Sequence, residues 1–254
     1  MHVIVCAKQV VDVSEVKIDP NTKKPMLEGV ARKISDIDKN AMEEALKIKE
    51  KFGGKITILT LGSPGAKENI KELLAVGGDE AILINSDENG DYYTSSQLLA
   101  KAIEKIGDYD IILCGEASID QFSGQMGPRI AGLLNIPQIT YAQKVVAEEK
   151  EVMVEKNLGD SIVTIRSPYP VLITVTKEIN EPRLPSLMQI LASSNKPIHE
   201  WDAVSLVEKI ESKVEVIETT GLTFERKNVI YEEGEMEERV KKVVENVIKE
   251  GVLG

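Results

Sequence analysis

The segment from Gly115 to Gly132 carries the residue types and spacing that bind phosphate in proteins. It follows an apolar run, Tyr109–Cys114, that predicts a buried strand, and it enters a helix near Pro128. A strand, a polar loop with glycines and a helix N-terminus together offer close-lying backbone N–H groups and the positive end of a helix dipole. We therefore predict a nucleotide site in this segment, although an ordinary strand-to-helix turn would have the same outline.

The composition is that of an acidic globular chain. Its 254 residues can bury one core with an appendage, and a formal net charge of -11 argues against nucleic acid and anionic membranes as partners. The sequence contains no apolar run of the ~18 residues that span a bilayer. Its N-terminus leads directly into a predicted strand and lacks the features of a secretory signal. We expect a cytoplasmic protein with no direct membrane insertion.

The cysteines and histidines stand in no pattern that supports chemistry of their own. Cys6 and Cys114 fall in predicted buried strands, and two cysteines are too few for a disulfide scaffold or a cysteine metal site. His2 and His199 sit in no catalytic pattern. We predict packing or surface roles for all four, with no catalytic residue and no metal site.

Strands and helices alternate over the first part of the chain. The predicted strands are Val3–Ala7, Ile56–Leu61, Ala81–Ile84 and Ile111–Cys114, and the predicted helices are Asp38–Phe52, Ala66–Val76, Ser95–Ile106 and Arg129–Leu134. Because the strands are continuously apolar, this order indicates an α/β fold whose open, mostly parallel sheet has helices on both faces. Ligands in such sheets bind at the carboxyl ends of the strands, where the predicted phosphate loop begins.

From about Ile139 the pattern becomes richer in β-formers. Three segments without long helices between them predict an antiparallel addition to the same sheet: Val152–Glu155, Ser161–Arg166 and Val171–Thr176. Pro182 and Pro185 then predict a stiff, exposed loop. A short helix over Met188–Ala192 is predicted to follow, with Ser186 as its cap.

The end of the chain, residues 199–254, is predicted to be an extension of a main domain over residues 1–198. Its helix, Glu235–Glu250, has charged residues on one face and an apolar stripe of Met236, Val240, Val243, Val244 and Val247 on the other. Such a helix either folds onto its own body or is an arm that docks on another subunit. The thin stretch that separates it from the main body favours the arm.

Five sets of motifs resemble the β subunit of electron-transfer flavoprotein in order and spacing, and together they cover about residues 1–200. They are Lys8-Gln9-Val10 with Asp19-Pro20 and Glu28-Gly29; Ala41 to Glu50; Leu74-Ala75 with Gly77 and Asp79; Leu113 to Gly115 with Ile119-Asp120, Gln125 to Pro128 and Pro137 to Tyr141; and Thr174 to Arg183 with Leu187. The last set is the most specific. A free-standing nucleotide-binding protein of the stress-protein type would not explain Asn180 to Arg183 or the C-terminal extension.

The resemblance implies an open sheet of the adenine-nucleotide α-hydrolase type and a heterodimer with an α subunit that holds FAD in a mobile domain. Ordinary family members bind structural AMP in the β subunit. Electron-bifurcating members bind a second FAD there, which accepts a hydride from NADH and passes electrons to ferredoxin or flavodoxin and, through the α-subunit FAD, to a high-potential acceptor. A dehydrogenase, or a quinone-linked subunit, is a further partner of such complexes.

The resemblance also carries the site onto this sequence residue by residue. The nucleotide contacts fall on Cys6, Ala7, Lys8, Ser35, Leu59, Leu61, Gly115, Asp120, Gln121, Ser123, Gly124, Gln125, Met126 and Gly127. Residues 180–192 match the family's recognition loop, in which Leu187 would be the anchor inserted into a dehydrogenase, unless it packs under its own loop. Lys8 could instead be a solvated lysine, and Asp120 could cap the turn through its side chain.

The loop departs from both nucleotide patterns of the family. AMP-type members carry two further acids and then Asn, where this chain has Gln121, Phe122 and Gly124. The small residue at Gly124 and the glutamine at Gln125 agree with the bifurcating pattern, whereas Gln121, Phe122 and Met126 do not. A small residue at position 124 leaves room for a diphosphate. We therefore favour FAD over AMP, with the flavin ring near residues 10–13.

Overall fold

The computed structural model describes residues 1–86, 90–207, 211–221 and 228–251. The strands described are β1 (His2–Cys6), β2 (Gln9–Val11), β3 (Lys17–Ile18), β4 (Pro25–Met26), β5 (Arg32–Ile34), β6 (Lys55–Gly62), β7 (Glu80–Asn85), β8 (Ile111–Gly115), β9 (Gln138–Ala147), β10 (Glu151–Asn157), β11 (Ile162–Pro168), β12 (Val171–Val175) and β13 (Ile198–Asp202). The helices described are α1 (Asp36–Phe52), α2 (Ala66–Val76), α3 (Tyr92–Ile106), α4 (Met126–Leu134), α5 (Leu187–Ser193), α6 (Ala203–Leu206) and α7 (Met236–Lys249).

The main sheet has nine strands in the described part of the chain, in the order β11-β10-β9-β12-β8-β1-β6-β7-β13. Every pair from β9 to β13 along this order is parallel, and the pairs of β10 with β9 and with β11 are antiparallel. The predicted α/β fold with a mostly parallel sheet is therefore confirmed.

Alternate residues of each central strand enter two separate core layers. On β1, Val3 and Val5 pack with residues of α1 and α2, whereas Ile4 and Cys6 pack on the opposite face with residues of α3 and α4. Burial on both faces explains why these strands read as continuous apolar runs. Each fully buried isoleucine or leucine contributes about 1.5–3 kcal/mol to folding.

The last of the three predicted antiparallel segments takes a different place. The prediction is wrong for β12, which lies parallel between β9 and β8 and is buried along its whole length. The short connection from β11 suggested a hairpin, because consecutive strands with little chain between them usually pair. Burial on both faces decided the position, since a strand of apolar residues with one threonine gains most in the middle of the sheet.

The structure of the C-terminal part of the chain also differs from the sequence-based prediction. Strand β13 pairs with β7 from Ile198↔Ala81 to Asp202↔Asn85, so the sheet continues past residue 198 and the predicted boundary lies inside a strand. Strand β9 was not predicted at all. Helix α7 forms where the apolar stripe predicted it, and none of its described residues is buried against the rest of the chain. No helix in the described ranges is long and apolar enough to cross a membrane.

Candidate functional site

A cavity of about 350 Å³ opens where β1, β6 and β8 end. The strand order reverses at β1, which pairs with β6 on one side and β8 on the other, and such switch points are where open α/β sheets bind ligands. Twelve of the fourteen predicted nucleotide contacts line this cavity: Cys6, Ala7, Lys8, Leu59, Leu61, Gly115, Asp120, Gln121, Ser123, Gly124, Gln125 and Met126. Folding therefore brings together residues from three separate parts of the sequence.

The other two predicted contacts, Ser35 and Gly127, are not among the residues that line the cavity. The Ser35 N–H donates to the Lys8 carbonyl oxygen (2.9 Å), and its buried hydroxyl has no hydrogen-bond partner among the described residues. At Gly127, an added Cβ would lie 2.4 Å from Cγ2 of Thr174. Gly127 thus permits α4 to approach β12 closely, and Ser35 supports the chain at Lys8.

The loop between β8 and α4 has the backbone geometry of a compact turn. Gly124 has a φ of +64°, and Phe122, which is 66% exposed, has a φ of +47°. A Cβ at Gly124 would meet only ordinary neighbours, the Tyr141 hydroxyl at 3.6 Å and the Glu116 carbonyl oxygen at 3.8 Å. Helix α4 follows directly and has no side-chain cap, so its first N–H groups remain available for an anion.

Lys8 ties the end of β1 to this loop. Its ammonium group donates to the two carboxylate oxygens of Asp120 (3.0 and 2.8 Å) and to Oε1 of Gln121 (3.1 Å). Burial raises the pKa of Asp120, but the hydrogen bonds from Lys8 and Ser118 outweigh it and hold that pKa below its usual value. The Lys8 ammonium is therefore not simply solvated, and the Asp120 carboxylate takes its main contact from Lys8.

Asp38 is a cavity residue that the sequence reasoning missed. One carboxylate oxygen accepts the N–H of Lys8 (2.8 Å) and the other accepts the N–H of Gly115 (3.0 Å), so this buried group joins the ends of β1 and β8. Burial raises its pKa to about 7, although these two hydrogen bonds oppose the rise. The sequence did contain a signal for a buried role of Asp38, because it shares a helix face with Met42 and Ala45, where an apolar residue is expected.

Further walls of the cavity come from residues outside the fourteen predicted contacts, and two of them, Val10 and Val11, fall in the segment 10–13 near which the flavin ring is predicted. They include Val10, Val11 and Arg32 of the β2–β5 pair, Leu27 beside β4, Gly62 at the end of β6 with Ser63 after it, and Gly90, Tyr92 and Ser95 around the start of α3. These residues have no common motif and are distant in the sequence. Only the packing of the elements places them around one space.

The two thiols that face this region are poor nucleophiles. Burial, with a smaller effect of Asp38, raises the pKa of Cys6 to about 12, and burial raises the pKa of Cys114 well above its usual value. Both stay protonated at neutral pH, and the thiolate is the reactive form. The described residues contain no group of three or more side chains that could hold a metal ion.

The segment that resembles a recognition loop is the second exposed feature. Ser186 caps α5 as predicted: it forms a capping box with Gln189. Leu187 is 72% exposed at the start of α5 and does not pack under its own loop. Leu184, Met188 and Leu191 are also exposed. Contiguous apolar exposure of this kind is typical of a protein-binding surface.

Comparison with known proteins shows the family to which the chain belongs. Residues 26–206 match the electron transfer flavoprotein domain. The chain is 40% identical to electron transfer flavoprotein subunit beta of Thermoanaerobacterium thermosaccharolyticum over the full length of both. It is 38% identical to caffeyl-CoA reductase-Etf complex subunit CarD of Acetobacterium woodii, over 80% of this chain and 78% of that protein. It is 36% identical to acryloyl-CoA reductase electron transfer subunit gamma of Anaerotignum propionicum, over 87% and 84%.

Proposed function

Because the chain belongs to the electron transfer flavoprotein β-subunit family, we propose that it works in a heterodimer with an α subunit and binds FAD in the cavity at the ends of β1, β6 and β8. In this proposal NADH supplies electrons to the heterodimer. They leave to a low-potential acceptor, ferredoxin or flavodoxin, and through the α-subunit FAD to a high-potential acceptor. The relative from Acetobacterium is named as a subunit of a caffeyl-CoA reductase-Etf complex, and the one from Anaerotignum as an electron transfer subunit of acryloyl-CoA reductase; both names support electron transfer to a reductase.

The observation that favours FAD over AMP is the small residue at Gly124. The family's AMP-type pattern has an asparagine at this position, and its side chain would fill the space where a second phosphate could lie. With glycine there, no side chain occupies that position, and an added Cβ would already be in van der Waals contact with the Tyr141 hydroxyl (3.6 Å) and the Glu116 carbonyl oxygen (3.8 Å). An adenosine phosphate, common to FAD and AMP, fits a cavity of this size in either case.

The residues of this chain bind and orient the nucleotide. Backbone N–H groups from Gly124 onwards, with the start of α4, would hold phosphate oxygens, since both offer unpaired donors to an anion. Lys8 holds the loop in place through Asp120, and Asp38 fixes the two strand ends beneath it. FAD, when bound, supplies the hydride and one-electron chemistry, and the protein supplies position and electrostatics.

Structural AMP is the alternative, with a docking role and no redox role for this chain. The mismatch of Met126 with the bifurcating pattern is the observation on its side, since Gln121 and Phe122 match neither pattern. Under this alternative the same cavity binds one adenosine monophosphate, and electrons pass only through the FAD of the α subunit.

The nucleotide content of the purified heterodimer tests the proposal. Two FAD and no AMP per heterodimer are expected after denaturation and chromatography, whereas one FAD and one AMP would refute FAD binding by this chain. Gly124→Asn is a sharp companion variant, because asparagine tolerates a φ near +64° and its side chain would enter the phosphate space. It is expected to lower the FAD content from two to one per heterodimer.

Two surfaces are proposed to carry the partners. The apolar stripe of α7 is exposed, as expected for an arm that docks on the α subunit. Leu187 and its apolar neighbours are proposed to dock on a dehydrogenase. The main domain would thus hold the nucleotide, while the extension after it holds the heterodimer together.

A further inference from the structure

The base of the exposed apolar loop rests on an unusual face of α1. Asn40, Glu43 and Glu44 are all buried there, with 2%, 6% and 5% of their surfaces exposed. Buried amide and carboxylate groups lower stability unless they are hydrogen-bonded. Their partners beyond α1 lie in residues 177–183, just before the loop. This polar face therefore exists to hold that segment.

Asn40 and Asn180 exchange hydrogen bonds. The amide of Asn40 donates to the carbonyl oxygens of Asn180 (2.8 Å) and Lys177 (3.2 Å). In return, the amide of Asn180 donates to the Asn40 carbonyl oxygen (3.0 Å) and to the Glu44 carboxylate (3.2 Å). The pair fixes the backbone of the segment against the helix at the point where it leaves the sheet.

Arg183 adds a forked ion pair one turn further along α1. Its Nε and Nη2 donate to the two carboxylate oxygens of Glu43 (2.9 and 2.8 Å), and its Nη1 donates to Glu50 (2.5 Å). Its own backbone N–H also donates to Glu43 (3.1 Å). A planar guanidinium can satisfy two carboxylates in this way, whereas an ammonium group cannot reproduce the fork.

A second cation holds the other end of the loop. Lys196 follows α5, and its ammonium donates to the carbonyl oxygens of Leu74 (2.8 Å) and Gly78 (2.7 Å) at the end of α2. Between Arg183 and Lys196 the apolar side chains of Leu184 and Leu187 point into solvent. The exposed loop is thus fixed at both ends by charged side chains: Arg183 binds to α1, and Lys196 binds to the end of α2.

We propose that Arg183 and Lys196 are positioning residues that clamp the two ends of the apolar loop, so that it meets a partner protein already ordered. The inference rests on the proposed docking role of the loop and adds to it. Ordering the loop before binding reduces the entropy lost on association, so the clamp sets affinity for the partner. Neither residue lines the nucleotide cavity, and the clamp therefore leaves nucleotide content unchanged.

Hydrogen exchange of the intact heterodimer tests the clamp without any partner. In Arg183→Lys, amides of residues 184–193 are expected to exchange about tenfold faster, with the central strands unchanged, because a charge-assisted fork is lost locally. Lys196→Met is expected to act in the same way from the other end. Arg166→Lys is the matched control, since Arg166 makes one exposed ion pair, with Glu151, at the far edge of the sheet.

Electron transfer to a purified partner dehydrogenase gives the second readout. The KM for that protein is expected to rise about tenfold in Arg183→Lys with kcat and nucleotide content unchanged. Unchanged exchange in 184–193, faster exchange throughout the chain, or faster loop exchange with an unchanged KM would each overturn the proposal. If Arg183→Lys does not fold, Glu50→Gln weakens the same fork at its exposed end and is held to the same outcomes.

The proposed docking role is tested separately. Leu187→Ala changes the apolar surface and leaves both clamps intact. An unchanged KM in this variant would refute Leu187 as the docking anchor, while the exchange data would still decide whether Arg183 and Lys196 order the loop.

Discussion

Replacing Gly127 with alanine would place a methyl group 2.4 Å from Cγ2 of Thr174. The same methyl would lie 3.2 Å from Cδ2 of Leu172 and 3.3 Å from the sulfur of Cys114. Carbon atoms in good contact are about 3.5–4.0 Å apart, so the start of α4 has to move away from β12 by roughly 1 Å. That movement displaces the loop and the helix N-terminus that are proposed to hold phosphate.

The magnitude follows from two opposing effects. Overpacking a core position costs about 1–3 kcal/mol. Alanine in place of glycine in a helix returns at most about 1 kcal/mol. We expect Gly127→Ala to lower the free energy of unfolding by about 1–2 kcal/mol, or roughly 2–8 °C in Tm for a chain of this size. Displaced N–H donors weaken charge-assisted hydrogen bonds, so nucleotide affinity is expected to fall at least about tenfold.

Two variants make the assay decisive. Gly132→Ala lies on the same helix, and its Cβ would have no neighbour within 4 Å, so it is expected to raise Tm slightly and to retain nucleotide. Adding Thr174→Ser to Gly127→Ala removes the clashing methyl and keeps the hydroxyl that accepts the Tyr141 N–H at 3.1 Å. It is expected to restore both Tm and nucleotide content. Thermal unfolding and nucleotide content of Gly127→Ala equal to those of the unaltered protein would refute the reasoning.

Asp38→Asn is expected to remove a pH dependence of stability. Burial raises the pKa of Asp38 from 3.8 to about 7, so the folded chain keeps a proton that the unfolded chain releases above about pH 4. The contribution of Asp38 to the free energy of unfolding therefore falls as the pH rises from about 4 to 7. Urea unfolding at about pH 5 and about pH 8 measures this, and the same pH difference in both proteins would contradict it. Leu187→Ala is expected to change Tm little, because the side chain is 72% exposed, and to raise the KM for a partner dehydrogenase several-fold. Val240→Asp with Val244→Asp, on the exposed stripe of α7, is expected to abolish co-elution with the α subunit in size-exclusion chromatography without lowering Tm; retained co-elution would exclude α7 as the docking arm.

The helix face around Asn40 shows how far local sequence patterns reach. The pattern predicted helix α1, because apolar spacing is a local property of the chain. It did not explain why Asn40 and Glu43 are buried, since their partners are 140 residues away in the sequence. A buried polar residue on a helix signals a partner, and only the folded chain says which one.

Local patterns and the folded chain contributed differently to the proposed nucleotide site as well. Residues Gly115 to Gly127 were predicted as a phosphate loop because strand, glycines and helix start are contiguous, and twelve of the fourteen predicted contacts do surround one cavity. The role of Asp38 was missed, since its two N–H donors belong to Lys8 and Gly115, which are more than 100 residues apart in the sequence. No sequence motif records that meeting.

By itself the sequence determined the alternation of strands and helices, the polar loop between β8 and α4 and the family, because each depends on residues that are near one another in the chain or on motifs of fixed spacing. The tertiary structure decided that β12 lies in the middle of the sheet, that Asp38 joins β1 to β8, and that Arg183 reaches Glu43. These contacts join residues that are far apart in the sequence. The entropy lost on closing such long loops is offset only when the whole core packs and buries its apolar surface.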